Sequence, residues 1–389
     1  MRPTTRNGFL RAQSLFASLL ACAAGALMLA AASGARAEPY LAIQEGYKCS
    51  KCHVNMTGGG KRTDFANAYV QTRLANEFLD WRRSAKKVED EAENPVRTDS
   101  QNSFFSGRLN EYIAIGGDFR ALFERTDTRG STPRETFNQR KQTIYLEIDV
   151  IPERAVLYQT LAEGGDAREI FGLLKGEIKD QPYYVKAGQF FLPYGLRLQD
   201  DTAYTRAVPG FTYGITDVGV EVGFEPGPWA LHLAATNGTG SSQETNRSKR
   251  ITGSAAYVSK MFRLGASYST NKSTQGNTTI TGINGGAQFG RVGVLADVSE
   301  VKAPSATQRV SILELNFLIF RGNNLKLTYE YHDPSTAIFE NARVRNSLVY
   351  EPFINQFTQL RGGIRRNKGI PQDASQSFTA YFFDLHLFF

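Results

Sequence analysis

Residues 313–331 read LELNFLIFRGNNLKLTYEY, two runs of alternating apolar and polar side chains on either side of a short turn. In the first run Glu314 lies between Leu313 and Leu315, and in the second Lys326 is enclosed in the same way. A period of two is that of a β-strand, because successive side chains point to opposite faces. The same alternation occurs in two further stretches, 144–150 and 218–224. From about Phe104 onward the sequence therefore predicts strands with one apolar and one polar face.

The connections between these strands alternate in length. Short turns are predicted at 151–154, 179–182, 225–228, 259–262 and 321–324. Longer polar segments are predicted at 126–139, 192–215, 237–249, 333–342 and 367–375. This rhythm is typical of outer-membrane barrels, whereas a soluble sandwich would bury its apolar face inward. The sequence thus predicts an all-β fold over residues 104–389: an antiparallel transmembrane β-barrel of about 16 strands, with both barrel ends on the periplasmic side.

The chain ends in YFFDLHLFF, residues 381–389, which also alternates. A terminal phenylalanine, Phe389, resembles the assembly signal of bacterial outer-membrane proteins. We therefore expect membrane lipid and the barrel assembly machinery to be partners.

Composition narrows the class of protein. The 389 residues have a mean hydropathy of −0.34, which argues against several apolar spanning helices of about 20 residues each. Residues 1–37 have the pattern of a secretory signal peptide: positive charges, an apolar stretch over 15–32, and Ala35-Arg36-Ala37 as a cleavage site. A retained anchor helix and lipidation at Cys22 are the alternatives. Because this segment carries four of the arginines and no acid, the formal charge falls from +7 to +3, which gives little support for a nucleic-acid partner.

One motif carries chemistry, Cys49-Ser50-Lys51-Cys52-His53. In C-x-x-C-H the two thiols form thioethers with the vinyl groups of one haem c, and the histidine is the proximal iron ligand. A thioredoxin-like dithiol would need a surrounding βαβ pattern. A zinc site would need a second pair of ligands. We therefore predict one covalent haem c bound by Cys49, Cys52 and His53.

A small helical haem domain is predicted over residues 38–83, followed by a charged linker at 84–103. After Thr63, a candidate N-cap, apolar side chains recur at helical spacing: Ala66, Val70, Leu74, Phe78 and Trp81. The second axial ligand stays open at this point. The iron is either five-coordinate or bound by Met56, which lies three residues beyond His53, or by a barrel histidine. Strand parity places His232 and His386 on the lumen face.

Two resemblances add to this interpretation. The stretch KAGQFFLPYG, residues 186–195, looks like the strand-then-loop passage of phosphate-selective porins. The plan of signal peptide, single C-x-x-C-H unit and barrel ending in phenylalanine resembles the fused monohaem cytochrome–porins. That resemblance implies electron transfer between extracellular ferrous iron and a periplasmic cytochrome or other redox carrier, as in an iron(II):cytochrome oxidoreductase. Residues 44–48 lack the Pro-Ser associated with those oxidases, so the donor and the direction of flow stay open.

The rival hypothesis is a porin for small, anionic solutes, with the haem unit as a plug, gate or redox sensor. Arg197 and Arg206 lie in the 192–215 segment, which could fold inward as a constriction. A second group of cations lies near a strand end: Arg361, Arg365 and Arg366. A haem peroxidase is a third hypothesis, but residues 38–102 hold no second histidine for acid–base work.

Overall fold

A computed structural model describes residues 39–74, 104–163, 168–244, 246–273 and 276–389. Within these residues sixteen strands form a closed barrel in which each strand pairs with its neighbour in sequence and β1 pairs antiparallel with β16. The predicted fold class and strand number are therefore confirmed. No helix among the described residues is long and apolar enough to cross a bilayer. The predicted signal peptide, the linker, Phe78 and Trp81 all lie outside the described residues.

The strands run in sequence order around the barrel. Their bounds are β1 Ile113–Thr128, β2 Arg134–Ile151, β3 Ala155–Glu163, β4 Ile170–Ile178, β5 Gln181–Phe190, β6 Asp217–Phe224, β7 Trp229–Thr236, β8 Arg250–Ser259, β9 Phe262–Ser273, β10 Gly276–Phe289, β11 Val292–Lys302, β12 Thr307–Phe320, β13 Asn323–Asp333, β14 Arg343–Asn355, β15 Thr358–Lys368 and β16 Phe378–Phe388.

The helices of the described residues are short. They are α1 Pro39–Glu45, α2 Cys49–Cys52, α3 Asp64–Tyr69, a π-helix at Val70–Leu74, α4 Tyr204–Ala207 and a 3-10 helix at Ala374–Gln376. Thr63 caps α3 as predicted, because its side chain accepts a hydrogen bond from the Ala66 backbone N–H. The predicted helical stripe continues past α3 only as the π-helix within the described part.

Burial along the strands is inverted relative to a soluble protein. On β12 Leu313 is 44% exposed while Glu314 is 5% exposed, and on β13 Leu327 is 38% exposed while Lys326 is 5% exposed. The apolar face therefore points outward and the charged face points into the barrel. An apolar exterior around a polar interior is the arrangement that a bilayer favours.

Four of the five long segments predicted are confirmed as connections, but the alternation is incomplete because β9–β10 and β11–β12 are joined by two and four residues. The long segment predicted at 126–139 is wrong, because β1 continues to Thr128 and β2 begins at Arg134. Paired backbone groups extend this hairpin although its side chains are polar, which strand periodicity alone did not indicate. The barrel wall also begins at Ile113 rather than near Phe104.

The lumen is filled from two directions. The N-terminal segment, residues 39–74, enters at the end of the short turns, and its side chains Tyr40 and Ile43 pack with Leu295 and Ile312 of the wall. The connection between β5 and β6 folds inward, and its helix α4 lies against β11, β12 and β13. The polar interior thereby surrounds two apolar clusters of its own.

Candidate functional site

The N-terminal segment is held at the short-turn end by contacts with the turns. The Met261 N–H donates to the Ile43 carbonyl at 3.1 Å. Lys48 Nζ donates to the Glu225 carbonyl at 2.8 Å, and Ser50 Oγ donates to Glu225 Oε2 at 2.7 Å. These bonds place the C-x-x-C-H motif inside the barrel mouth.

Further contacts tie this segment to the wall. Lys61 Nζ lies 2.9 Å from Glu147 Oε2, and the Lys61 N–H donates to the Tyr158 hydroxyl at 2.9 Å. Arg108, which precedes β1, links the segment to β2: its Nε donates to Asp64 Oδ2 and its Nη1 to Asp149 Oδ2, both at 2.8 Å. Most of these partners are separated by more than 40 residues in sequence, so the segment is fixed by tertiary contacts and not by its own short helices.

A single cavity brings the motif and two of the three candidate second ligands together. Cys49, Cys52 and His53 line it from the N-terminal segment, and His232 and His386 line it from β7 and β16. The predicted lumen orientation of both barrel histidines is therefore confirmed.

Met56 has a different environment. It is partly buried against the apolar cluster that contains Val54 and Tyr158. Its side chain thus packs toward the wall, and Met56 is not among the residues that line the cavity.

His53 is the first residue after α2. Its backbone is extended, with φ −128° and ψ 142°, and its N–H donates to the Cys49 carbonyl at 3.0 Å. Burial, and after it the charges of Arg62 and Arg197, lower the pKa of the His53 imidazole to about 3. A ring that stays neutral at physiological pH can bind a metal. Among the described residues Nδ1 of His53 is buried without a hydrogen-bond partner.

A glycine loop, residues 58–60, lies beside the motif. A side chain at Gly58 would contact Cys49 Sγ at 3.5 Å, and one at Gly59 would contact Arg197 Cδ at 3.2 Å. Both glycines have positive φ, 96° and 79°, which favours glycine. The missing side chains let Arg197 of the inward connection lie directly against this loop.

Replacing Gly60 by alanine is expected to weaken the packing of residues 39–74 against the barrel wall. Gly60 has φ 71°, and a Cβ there would overlap the Tyr158 hydroxyl that accepts from the Lys61 N–H. Strained φ and a displaced buried hydrogen bond together cost roughly 2–4 kcal/mol. We expect faster proteolysis of residues 39–74 in the G60A barrel, measured by limited digestion. Gly290→Ala is the control, since Gly290 has φ 57° and nothing within 4 Å; equal digestion of both variants would contradict the expectation.

The cavity residues fit a haem. Two thiols and a neutral imidazole supply the covalent and axial ligands. Arg197 Nη1 and Arg263 Nε are buried nitrogens without hydrogen-bond partners among the described residues, and both arginines line the cavity. Such cations suit the carboxylates that a haem carries.

The predicted inward segment is the β5–β6 connection, and it crosses the lumen. The Leu196 N–H donates to Asp297 Oδ2 at 3.0 Å, and the Tyr204 N–H donates to Glu330 Oε2 at 2.8 Å. Arg206 is 2% exposed and stacks on Tyr213, with 5.4 Å between the guanidinium carbon and the ring centroid. The predicted inward folding of this segment is therefore confirmed.

The predicted cation cluster near the end of β15 forms ion pairs. Arg361 Nε lies 2.8 Å from Glu351 Oε1, and Arg365 pairs with Asp200 of the inward connection. Arg365 thus holds the connection against the wall, whereas Arg361 is paired with carboxylates of the wall itself.

Sequence reasoning missed several cavity residues: Arg62, Asp118, Arg120, Tyr194, Tyr213 and Arg263. Asp118, Arg120 and Arg263 belong to strands, so alternation indicates which face each occupies. It does not indicate which lumen positions adjoin a motif that lies far away in sequence.

Comparisons with known proteins bear on the barrel. No family model and no curated protein match the sequence. The anion-selective porin of Comamonas acidovorans is 13% identical with a TM-score of 0.55, and the match covers 71% of this chain and 99% of the porin. Pseudomonas putida OprB is 11% identical with a TM-score of 0.53, covering 72% and 94%. Vibrio cholerae OmpT lacking loop L8 is 10% identical with a TM-score of 0.52, covering 71% and 99%. The chain therefore has the fold of the outer-membrane porins.

Proposed function

We propose that this protein lies in the bacterial outer membrane and transfers electrons through one haem c held inside the barrel mouth. The observation that carries the proposal is the position of the C-x-x-C-H motif in a lumen cavity lined by further histidines and arginines. Fold alone does not specify function, so the proposal rests on the site and not on the porin likeness.

The two cysteines and the histidine of the motif each have one role in this proposal. Cys49 and Cys52 hold the cofactor covalently, and His53 binds its iron with a neutral imidazole. Bound in this way, the haem supplies reversible one-electron transfer. The chain's own contribution is to keep the site away from lipid, to fix the motif through Lys48 and Glu225, and to place the Arg197 and Arg263 cations around the cavity.

The topology suggests which partners are within reach. Short turns face the periplasm in this class of barrel, and the motif lies at that end. A periplasmic cytochrome or other carrier is thus the proposed near partner. Extracellular ferrous iron, or an acceptor, is the proposed far partner on the loop side.

Sealed vesicles test electron transfer directly. Holo-protein is reconstituted with ferricyanide trapped inside, and ferrous iron is added outside. We expect acceptor reduction well above that of protein-free vesicles. A rate equal to that of protein-free vesicles across a series of donors of different potential would contradict the proposal.

The second candidate is a pore for small anionic solutes. The comparisons favour it, since one similar structure is an anion-selective porin, and Arg197 and Arg206 lie in an inward connection. Against it, residues 39–74 and this connection occupy the lumen together. In planar bilayers we expect the holo-protein to show no resolvable single-channel steps. Stable, anion-selective steps would instead favour transport, with the haem unit as a gate or redox sensor.

A further inference from the structure

His232 on β7 belongs to a buried hydrogen-bond chain that ends beside the motif. The Tyr184 hydroxyl donates to Glu221 Oε1 at 2.7 Å and lies 2.8 Å from His232 Nδ1. Lys186 Nζ lies 2.8 Å from the same Glu221 oxygen, and both of these side chains are fully buried. Lys186 Nζ also donates to Asn55 Oδ1 at 3.1 Å, which links the chain to the N-terminal segment.

The protons available in this hydrogen-bond chain fix the tautomer of His232. A carboxylate paired with an ammonium only accepts hydrogen bonds, so the single hydroxyl proton of Tyr184 is donated to Glu221. The Tyr184 oxygen must then accept from His232, which places the proton of the neutral ring on Nδ1. The lone pair is left on Nε2, and His232 lines the same cavity as the motif.

This is the arrangement of a metal-binding histidine. A ligating imidazole characteristically donates its other N–H to an oxygen, which fixes its orientation and raises its basicity. Tyr184, backed by Glu221, supplies that oxygen. Gly223, the cross-strand neighbour of His232, has no side chain and so leaves room for the Tyr184 ring.

The other candidates are less suited. Nε2 of His386 lies 2.7 Å from Asp118 Oδ1, so a carboxylate already lies beside that nitrogen. Met56 packs into the apolar cluster around Val54. His332 is next to the last residue of β13, at the long-loop end, with Nε2 3.0 Å from Gln308 Oε1.

We infer that His232, through Nε2, is the second axial ligand of the haem iron, so that the N-terminal segment and the barrel wall each supply one imidazole. This inference rests on the proposed function and makes it more specific. A bis-histidine iron is six-coordinate and low-spin, as suits electron transfer. Tyr184 is a positioning residue that acts through His232.

The test uses full-length holo-protein in detergent, with the spin state of ferric haem read by absorption and electron paramagnetic resonance. Wild type is expected to be low-spin. His232→Ala is expected to become high-spin, and added imidazole should return it to low-spin. His332→Ala, the matched control, should stay low-spin. Tyr184→Phe should stay low-spin. Cyanide should displace its native axial ligand at a roughly 10- to 100-fold lower concentration than in wild type, because the hydrogen bond that orients the ligating imidazole is lost.

The outcomes separate this inference from the proposed function. Low-spin haem in His232→Ala, or a change to high-spin in His386→Ala instead, overturns the assignment while leaving haem attachment intact. Wild-type protein without covalent haem overturns the proposed function itself. If His232→Ala fails to assemble, His232→Met carries the test: a low-spin spectrum altered from wild type supports ligation, and an unaltered one contradicts it.

Discussion

Cys49→Ala/Cys52→Ala is expected to abolish covalent haem and to reduce electron transfer into sealed vesicles to the rate of protein-free membranes. The two thiols are the only free cysteines in the described part of the chain, so no other described residue can form the thioethers. The barrel should still assemble, because the thiols lie within the N-terminal segment and the sixteen strands pair without them. Haem staining of the denatured protein on a gel and the vesicle assay measure the two effects.

A neighbouring residue supplies the control for this variant. Ser50 lies between the two cysteines and donates one hydrogen bond to Glu225, so Ser50→Ala perturbs the same helix without removing a thiol. We expect Ser50→Ala to keep its haem and at least half of the wild-type rate. Wild-type rates in the double cysteine variant would mean that electrons cross the membrane by a route other than the haem.

Lys186→Met is expected to destabilise the protein by about 3–5 kcal/mol, because it leaves a fully buried carboxylate without its cation. Glu221, the partner of Lys186, is completely buried and also accepts from Tyr184. The substitution removes the hydrogen bond to Asn55 as well, so we expect the N-terminal segment to be cleaved more readily. Urea unfolding in detergent, followed by the gel mobility of the folded barrel, measures the change in free energy.

Two further variants show whether the loss arises from the unpaired charge. In Lys186→Met/Glu221→Gln no charge remains, and we expect at least half of the lost stability to return. Lys302→Met breaks the ion pair with Glu300, 3.1 Å long and largely exposed on the lysine side, and should cost less than about 1 kcal/mol. Equal losses in Lys186→Met and Lys302→Met would show that burial of this pair is not what stabilises the protein.

The sequence was most informative where the deciding interactions are local. Strand alternation depends only on backbone geometry, so the strands around Leu313 and Leu325 could be predicted without knowing their partners. The length of the β1–β2 hairpin could not be predicted in this way, because its outer residues are polar and extend the strands only through backbone pairing. The C-x-x-C-H spacing likewise predicts haem attachment from five consecutive residues.

The contacts around the motif depend on the tertiary structure. Strand parity predicted that His232 and His386 face the lumen. It places every second residue of each strand there, so it does not indicate which of them lie next to the motif. Only packing brings Tyr184 and Glu221 to the Nδ1 side of His232 and Asp118 to Nε2 of His386. Hydrogen bonds across more than 30 residues have no signature in local sequence, because their geometry is set by how the barrel closes.

By itself the sequence therefore determined the barrel and its approximate strand number, and it predicted Cys49, Cys52 and His53 as haem-binding residues. The tertiary structure alone decided that the N-terminal segment lies inside the lumen, that Arg197 contacts the glycine loop, and that Met56 packs away from the cavity. The physical reason is that periodicity and motif spacing are properties of neighbouring residues. Where a short segment packs depends on the polar and apolar groups that the closed barrel presents to it.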